Sequence, residues 1–183
     1  EIIVGTLAGL RAVKNLPRLV RAAAPLGGRV QLVIVGEGAE RDTIRGEAHR
    51  LGIEEPLLPG FITNPWNYIG LFDIFALSSD SEQFPISLVE AMAAGLPVAA
   101  TAVGDIAAMV AEENRPFIVP PGDEQALSAA IARLADDPIL RRSIGGANRF
   151  RAAALYRETE MVARYAALYD QALGRPGALG GVA

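Results

Sequence analysis

Two glutamates with seven residues between them, Glu82 and Glu90, stand in the stretch "SSDSEQFPISLVEAMAAGLP" (78–97), which is otherwise largely apolar and closes on Gly-Leu-Pro. Glu82 falls in a polar loop, and Glu90 falls one turn inside a helix that Pro85 can open, because proline suits a helix's first turn. In that helix Ile86, Val89 and Ala93 point one way. The first backbone N–H groups, Ile86 to Val89, have no acceptor within the helix and carry the positive end of its dipole, which makes a seat for a phosphate. Each glutamate alone fits a plainer role, since an acidic residue near a helix start is worth only about 0.3–1 kcal/mol. Lys14, in "AGLRAVKNLPRL", follows the first strand by a flexible loop and precedes the first helix, where a cation can meet a diphosphate. Taken alone it also reads as a solvated charge.

Other constellations carry less. Asp80 and Glu82, two apart, could chelate Mg²⁺. Gly36 and Gly38 in "VIVGEGAER" follow a strand and open a helix as a dinucleotide fingerprint does. Arg41 holds the place of its third glycine, however, and the motif follows the second strand rather than the first. A tight strand-to-helix turn at the edge of a cleft is the simpler reading. His49 is the only histidine and lies in a polar helical stretch, which makes it a surface residue. There is no Ser-His-Asp arrangement, zinc spacing or P-loop. The absence of cysteine excludes disulfides and thiolate metal sites and fits a reducing compartment.

The elements that must position these residues follow from short apolar runs: 2–5, 30–36, 56–60, 73–79, 97–101 and 116–120. They are too uniformly apolar to have a wet face, and the segments between them are long enough for crossover helices. A parallel sheet covered on both sides, a doubly wound α/β domain, accounts for this. Asn15 could cap a first helix carrying Leu16, Leu19, Val20 and Ala23 on one face, with Pro17 in its first turn. Leu127, Ile131 and Leu134 repeat at helical spacing, Pro138 starts the next helix, and Thr159 to Leu173 forms a last one with Val162, Tyr165 and Tyr169 on one face, ending at Gly174. Residues 175–183 read as a flexible tail. With 183 residues, 51% of them hydrophobic, one domain is expected. A net charge of -4 gives no long-range pull toward nucleic acid or an anionic membrane, so an anionic ligand must be held locally. The uncharged run 91–104 is shorter than the roughly 20 apolar residues of a membrane helix. The chain starts at Glu1, one residue ahead of a core strand, which marks it as a piece of a longer protein whose targeting cannot be read here.

In this setting "SEQFPISLVEAMAAGLPV" resembles the signature of the retaining glycosyltransferases of family four, the glycosyl transferases group one, in which two glutamates so spaced frame the donor site. "GTLAGLRAVKNLPRLVRA", "LVIVGEGAERDTI", "FDIFALSSDSEQFPISLVEAMAAGLPVAATAVGD", "VPPGD" and "YAALYD" occur in the family's order. The resemblance covers nearly the whole chain and implies a Rossmann-like fold, the C-terminal, donor-binding half of a two-domain GT-B enzyme, over residues 1–174. It implies that Glu82 faces the donor sugar near the reacting carbon and that the backbone of Phe84, Pro85 and Ile86 contacts its hydroxyls. The amides of Leu88 and Val89 would receive the diphosphate, and Glu90 would bind both ribose hydroxyls, a task suited to a group with acceptor oxygens and no donor. Lys14 would stabilise the leaving diphosphate in place of a metal, and the base would lie near Phe61, Ile62 and Thr63, met mostly by backbone.

The pattern has departures. Thr6 follows Gly5 where the family often has arginine, with Arg11 a substitute for that cation; Gln83 stands where glycine is frequent; Asp105 and Ala108 replace a common glycine and glutamate. These changes bear on the donor's identity more than on the fold. The implied protein is a cytoplasmic hexosyltransferase with a nucleotide sugar as substrate, no cofactor, no metal and no nucleic-acid partner. Its acceptor site, and any contact with the inner face of a membrane, would belong to the absent N-terminal domain. Two rivals stay open: a sugar-nucleotide epimerase of the same shape, separated by product analysis with and without an acceptor, and a non-catalytic nucleotide- or sugar-binding module, for which the glutamates would be dispensable.

Overall fold

The computed structural model describes residues 1–174; the expected tail, 175–183, lies outside them. Six strands form one parallel sheet: β1 (Ile2–Leu7), β2 (Val30–Val35), β3 (Leu57–Gly60), β4 (Ile74–Leu77), β5 (Val98–Thr101) and β6 (Ile118–Val119). Their order is β3-β2-β1-β4-β5-β6. Each apolar run is a strand, as expected, with small shifts at the ends. The sixth is the shortest, because Pro116 and Phe117 fall in a 3-10 turn over Glu112–Phe117 before the strand begins, and Pro116 has no N–H to give a ladder.

Among the described residues there are seven α-helices: α1 (Leu16–Ala23), α2 (Arg41–Leu51), α3 (Ile86–Ala93), α4 (Ile106–Met109), α5 (Glu124–Asp136), α6 (Pro138–Leu155) and α7 (Glu158–Leu173). Two apolar clusters form, one on each face. Leu16, Leu19 and Val20 of α1, Ile44 of α2 and Leu127, Ile131 and Leu134 of α5 pack on one side with Val4 and Ile34. Leu88 and Met92 of α3 and Ile106 and Met109 of α4 pack on the other with Phe75 and Val98. β4 and β5 are buried along their whole length, which is why their sequences show no alternation. The spacing read for α1 and α5 is the buried face of each. The C-terminal stripe of Val162, Tyr165 and Tyr169 does lie on α7, but as an exposed face among the described residues.

Local chemistry sets the boundaries. Asp123 accepts from the Ala126 amide at the start of α5, and Asp137 accepts from those of Ile139 and Leu140 at the start of α6, with Pro138 in its first turn. Each is an ordinary N-cap. Asn15 departs from expectation: it precedes α1 but makes no capping bond, because its side chain is engaged elsewhere. In α3 the buried residues are Leu88, Ala91 and Met92, Val89 is partly buried against the same cluster, and Ile86 is 63% exposed. In "ISLVEAMA" apolar residues occupy nearly every position, so periodicity could not select a face.

Candidate functional site

The chain reverses direction across the sheet between β1 and β4, which are neighbours with β2 and β3 to one side and β5 and β6 to the other. In open parallel sheets, ligands lie beyond the carboxyl ends of the strands at such a switch point. Here the loop after β1 carries Arg11 and Lys14, the loop after β4 carries Glu82 and Phe84, and together they line a cleft of about 470 Å³. Lys14 Nζ donates to Glu82 Oε1 at 2.6 Å, with side-chain exposures of 15% and 8%. Ser79 Oγ donates to the same oxygen at 2.7 Å. The second carboxylate oxygen of Glu82 has no partner among the described residues, so it is the atom left for a ligand.

Several backbone contacts hold these loops. Gly36 and Gly38 have φ of 139° and 156°. A Cβ on either would lie 1.9 Å from the Ala8 carbonyl oxygen or 2.4 Å from that of Leu10. The two glycines therefore let the turn after β2 lie directly against the loop after β1, and the Leu10 amide donates to the Glu37 carbonyl at 2.9 Å. This is the tight cleft-edge turn expected. Arg41, in the third glycine's place, donates to Glu37 and to the Leu58 carbonyl. On the other side Gly104, at φ 55°, would bring a Cβ within 2.1 Å of the Glu82 carbonyl oxygen, and the Asp105 amide donates to the Gln83 carbonyl at 3.0 Å. The Gly104–Asp105 turn is thus the floor under Glu82.

Glu90 sits half-buried one turn into α3. It makes no ion pair or side-chain hydrogen bond among the described residues, and burial raises its carboxyl above the ordinary value. At the same helix start Pro85 is buried, Phe84 stacks edge-on against Tyr156 at 5.5 Å between centroids, and the Leu88 amide already donates to the Pro85 carbonyl at 3.1 Å. Leu88 can therefore serve a phosphate only as a shared donor, while the Ile86 and Ser87 amides have no acceptor within the helix. Phe61, Ile62 and Thr63 follow β3, apart from the cleft that Lys14 lines, with Phe61 77% exposed. Thr6 is buried in β1, and its hydroxyl has no partner. Arg11 is exposed on the cleft wall. His49 is on the surface. Asp80 is engaged by Arg18 at 2.6 Å and Asn15 at 3.0 Å, and no group of three or more His, Cys, Asp or Glu able to hold a metal occurs among the described residues. None of the described helices is long and apolar enough to cross a membrane.

The sequence reading missed Ser79, which orients Glu82, and Asp80, Arg18 and Ser78 as ties between the two loops. One compositional signal was available for Lys14: it is the only lysine in the chain, every other basic residue apart from His49 being an arginine.

A parallel α/β sheet of this order, with the Lys14–Glu82 pair at its switch point, is a Rossmann-like domain. The chain belongs to the glycosyl transferases group 1, whose family model matches residues 1–151. It is 29% identical to the N-acetyl-alpha-D-glucosaminyl L-malate synthase of Bacillus anthracis, across 94% of this chain and 46% of that protein. It is 28% identical to the lipopolysaccharide core biosynthesis glycosyltransferase LpsD of Rhizobium meliloti, across 88% of this chain and 47% of that one. Among solved structures, sucrose-phosphate synthase from Thermosynechococcus elongatus superposes with a TM-score of 0.88 at 31% identity, over 95% of this chain and 46% of that one. HepE of Anabaena, in complex with UDP-glucose, superposes with a TM-score of 0.86 at 24% identity, over 93% and 49%, a likeness of fold. The chain spans about half the length of these relatives.

Proposed function

We propose that this chain is the C-terminal, donor-binding half of a retaining GT-B glycosyltransferase that moves a hexose from a nucleotide-diphosphate sugar to a glycan, lipid-linked or small-molecule acceptor. The observation that carries the reading is the Lys14–Glu82 pair, nearly buried at the mouth of a switch-point cleft, with one carboxylate oxygen unengaged. The family membership and the UDP-glucose held by the Anabaena protein of the same fold support it.

In this reading the diphosphate lies over the start of α3, and Lys14 and Arg11 take its charge. Glu82 turns its free oxygen to the sugar. Glu90, half-buried and unpaired, accepts from both ribose hydroxyls, and the base lies toward Phe61, Ile62 and Thr63. The bond from the anomeric carbon to the β-phosphate oxygen breaks as the acceptor oxygen bonds the same carbon on the same face, and the departing phosphate takes the acceptor's proton. The cations and helix amides bear the charge that develops on that phosphate, a contribution of about 10²- to 10³-fold in rate for one preorganised group. No metal is needed to do so. The acceptor site belongs to the N-terminal half, so this chain alone binds nucleotide and transfers nothing. The test is thermal unfolding of the chain with UDP, GDP and ADP: a nucleotide at a hundred times its dissociation constant adds about 2.7 kcal/mol, read as a raised Tm. No shift with any of the three overturns the reading.

A further inference from the structure

The loop that carries Lys14 and the loop that carries Glu82 are joined by more than their own ion pair. Asp80 Oδ1 accepts from Arg18 Nη1 at 2.6 Å, and its Oδ2 accepts from Asn15 Nδ2 at 3.0 Å. The Asp80 amide donates to the Val13 carbonyl at 2.9 Å. Ser78 Oγ lies within hydrogen-bond reach of the carbonyls of Lys14 and Asn15, and Arg18 also reaches the Ser78 carbonyl at 2.9 Å. Every one of these contacts spans the gap between the two loops, and all of them touch Lys14 or residues within four positions of it.

We propose that Asp80 is a positioning residue: its carboxylate clasps the loop after β1 to the loop after β4 and thereby fixes Lys14 against Glu82. Two features favour this over a purely structural role. First, the Asp80 side chain is 49% exposed, and Arg18, 12% exposed, keeps its bond to the Ser78 carbonyl when the carboxylate is removed, so the loss of Asp80 costs little global stability. The contact is nonetheless complete, with both oxygens used on two different side chains. Burial pushes the Asp80 carboxyl up, but the hydrogen bonds from Arg18 and Asn15 outweigh it and hold the group below its ordinary value. Secondly, Asn15, directly after Lys14, is one of two described non-glycine residues with positive φ, at 43°. Asparagine tolerates that left-handed turn better than most residues, but it is still sparsely populated. The bond to Asp80 holds it, and that turn sets the direction in which Lys14 leaves the chain. Neither Asp80 nor Arg18 lines the cleft, so both act through Lys14.

This inference rests on the reading of Lys14 and Glu82 as the donor-site pair, and the test separates the two. Because Lys14 is the only lysine, trace acetylation with acetic anhydride, followed by peptide mass spectrometry to set aside the N-terminal amine, reports on one side chain. In Asp80→Ala, Lys14 acetylates several-fold faster than in the wild type while the urea unfolding midpoint stays in place. Asp80→Asn, which keeps an acceptor for Asn15 but loses the charge facing Arg18, gives an intermediate rate. Asn15→Gly, which keeps the left-handed turn and removes the side chain, also accelerates it. A wild-type labelling rate in Asp80→Ala overturns the proposal, as does an acceleration that merely follows a fallen unfolding midpoint. Titration of the same variants with UDP, GDP and ADP supplies the second arm. Accelerated labelling in a chain that binds none of the three leaves the clasp standing and removes the donor-site reading instead.

Discussion

Removing Lys14 should destabilise the fold, and removing Glu82 with it should restore most of the loss. In Lys14→Met the Glu82 carboxylate stays where it is, with only 8% of its side chain exposed and the Ser79 hydroxyl as its sole remaining partner. Exposed ion pairs contribute about 0–1 kcal/mol, and breaking a fully buried pair costs about 3–5 kcal/mol because a charge is left uncompensated. Exposures of 15% and 8% place this pair nearer the second limit, so about 2–3 kcal/mol is expected for Lys14→Met. The double variant Lys14→Met/Glu82→Gln contains no charge at either position, and its amide oxygen can still accept from Ser79. Its loss should be about 1 kcal/mol, which leaves a coupling well inside the range for side chains in contact. Urea unfolding followed by circular dichroism measures this: with a slope of about 2 kcal/mol/M the single variant's midpoint falls by about 1 M. A single variant as stable as the wild type, or a double variant as unstable as the sum of its parts, would refute the claim that the pair is desolvated and mutually dependent.

Two further substitutions probe the rest of the site. Burial raises the Glu90 carboxyl, so the folded state favours its protonated form; that contribution is fully present below the unfolded carboxylate value and is lost as pH rises through the higher folded one. Glu90→Gln is therefore expected to unfold at higher urea than the wild type near neutral pH and to converge with it in acid. It should also bind a nucleotide-diphosphate sugar about 10- to 100-fold more weakly, since hydrogen bonds to a charged group contribute about 1.5–3 kcal/mol. Unchanged affinity in a calorimetric titration would remove Glu90 from the site. Gly104→Ala forces a side chain into a left-handed turn and sets its Cβ against the Glu82 carbonyl; a loss of at least about 2 kcal/mol is expected, together with weakened nucleotide binding. A variant with wild-type unfolding and binding would show that the turn does not support Glu82.

The six strands and the covering helices were legible because buried parallel strands must be apolar throughout and helices of this size must carry one apolar stripe. Those constraints act on many residues at once. α3 was legible as a helix but not in its orientation, since its sequence is apolar on nearly every side and only packing against α6 and β5 selects Leu88, Ala91 and Met92. Asn15 was misread for a related reason: its type fits a helix start, but the side chain can make the capping bond or the bond to Asp80, and which it makes depends on a loop 65 residues away in the chain.

The site follows the same division. Glu82 and Lys14 each fitted a plainer role when taken alone, and the family resemblance singled them out; the structure brings the two together as an ion pair. Ser78, Ser79, Arg18 and Asp80 could not be named from sequence, because serines, arginines and aspartates in polar loops are ordinary until their partners are known. What distinguishes Lys14 in retrospect is compositional. A chain that meets every other need for a strong cation with arginine keeps one ammonium, at the place where the group must fit beside a nearly buried carboxylate oxygen already shared with Ser79. A compact ammonium with three rotatable donors can serve Glu82 and a phosphate together from that position, whereas a planar guanidinium fixes the directions of its donors. In the proposed reading, the choice of lysine and the clasp around it would answer one requirement, a point charge held still between two oxygen ligands.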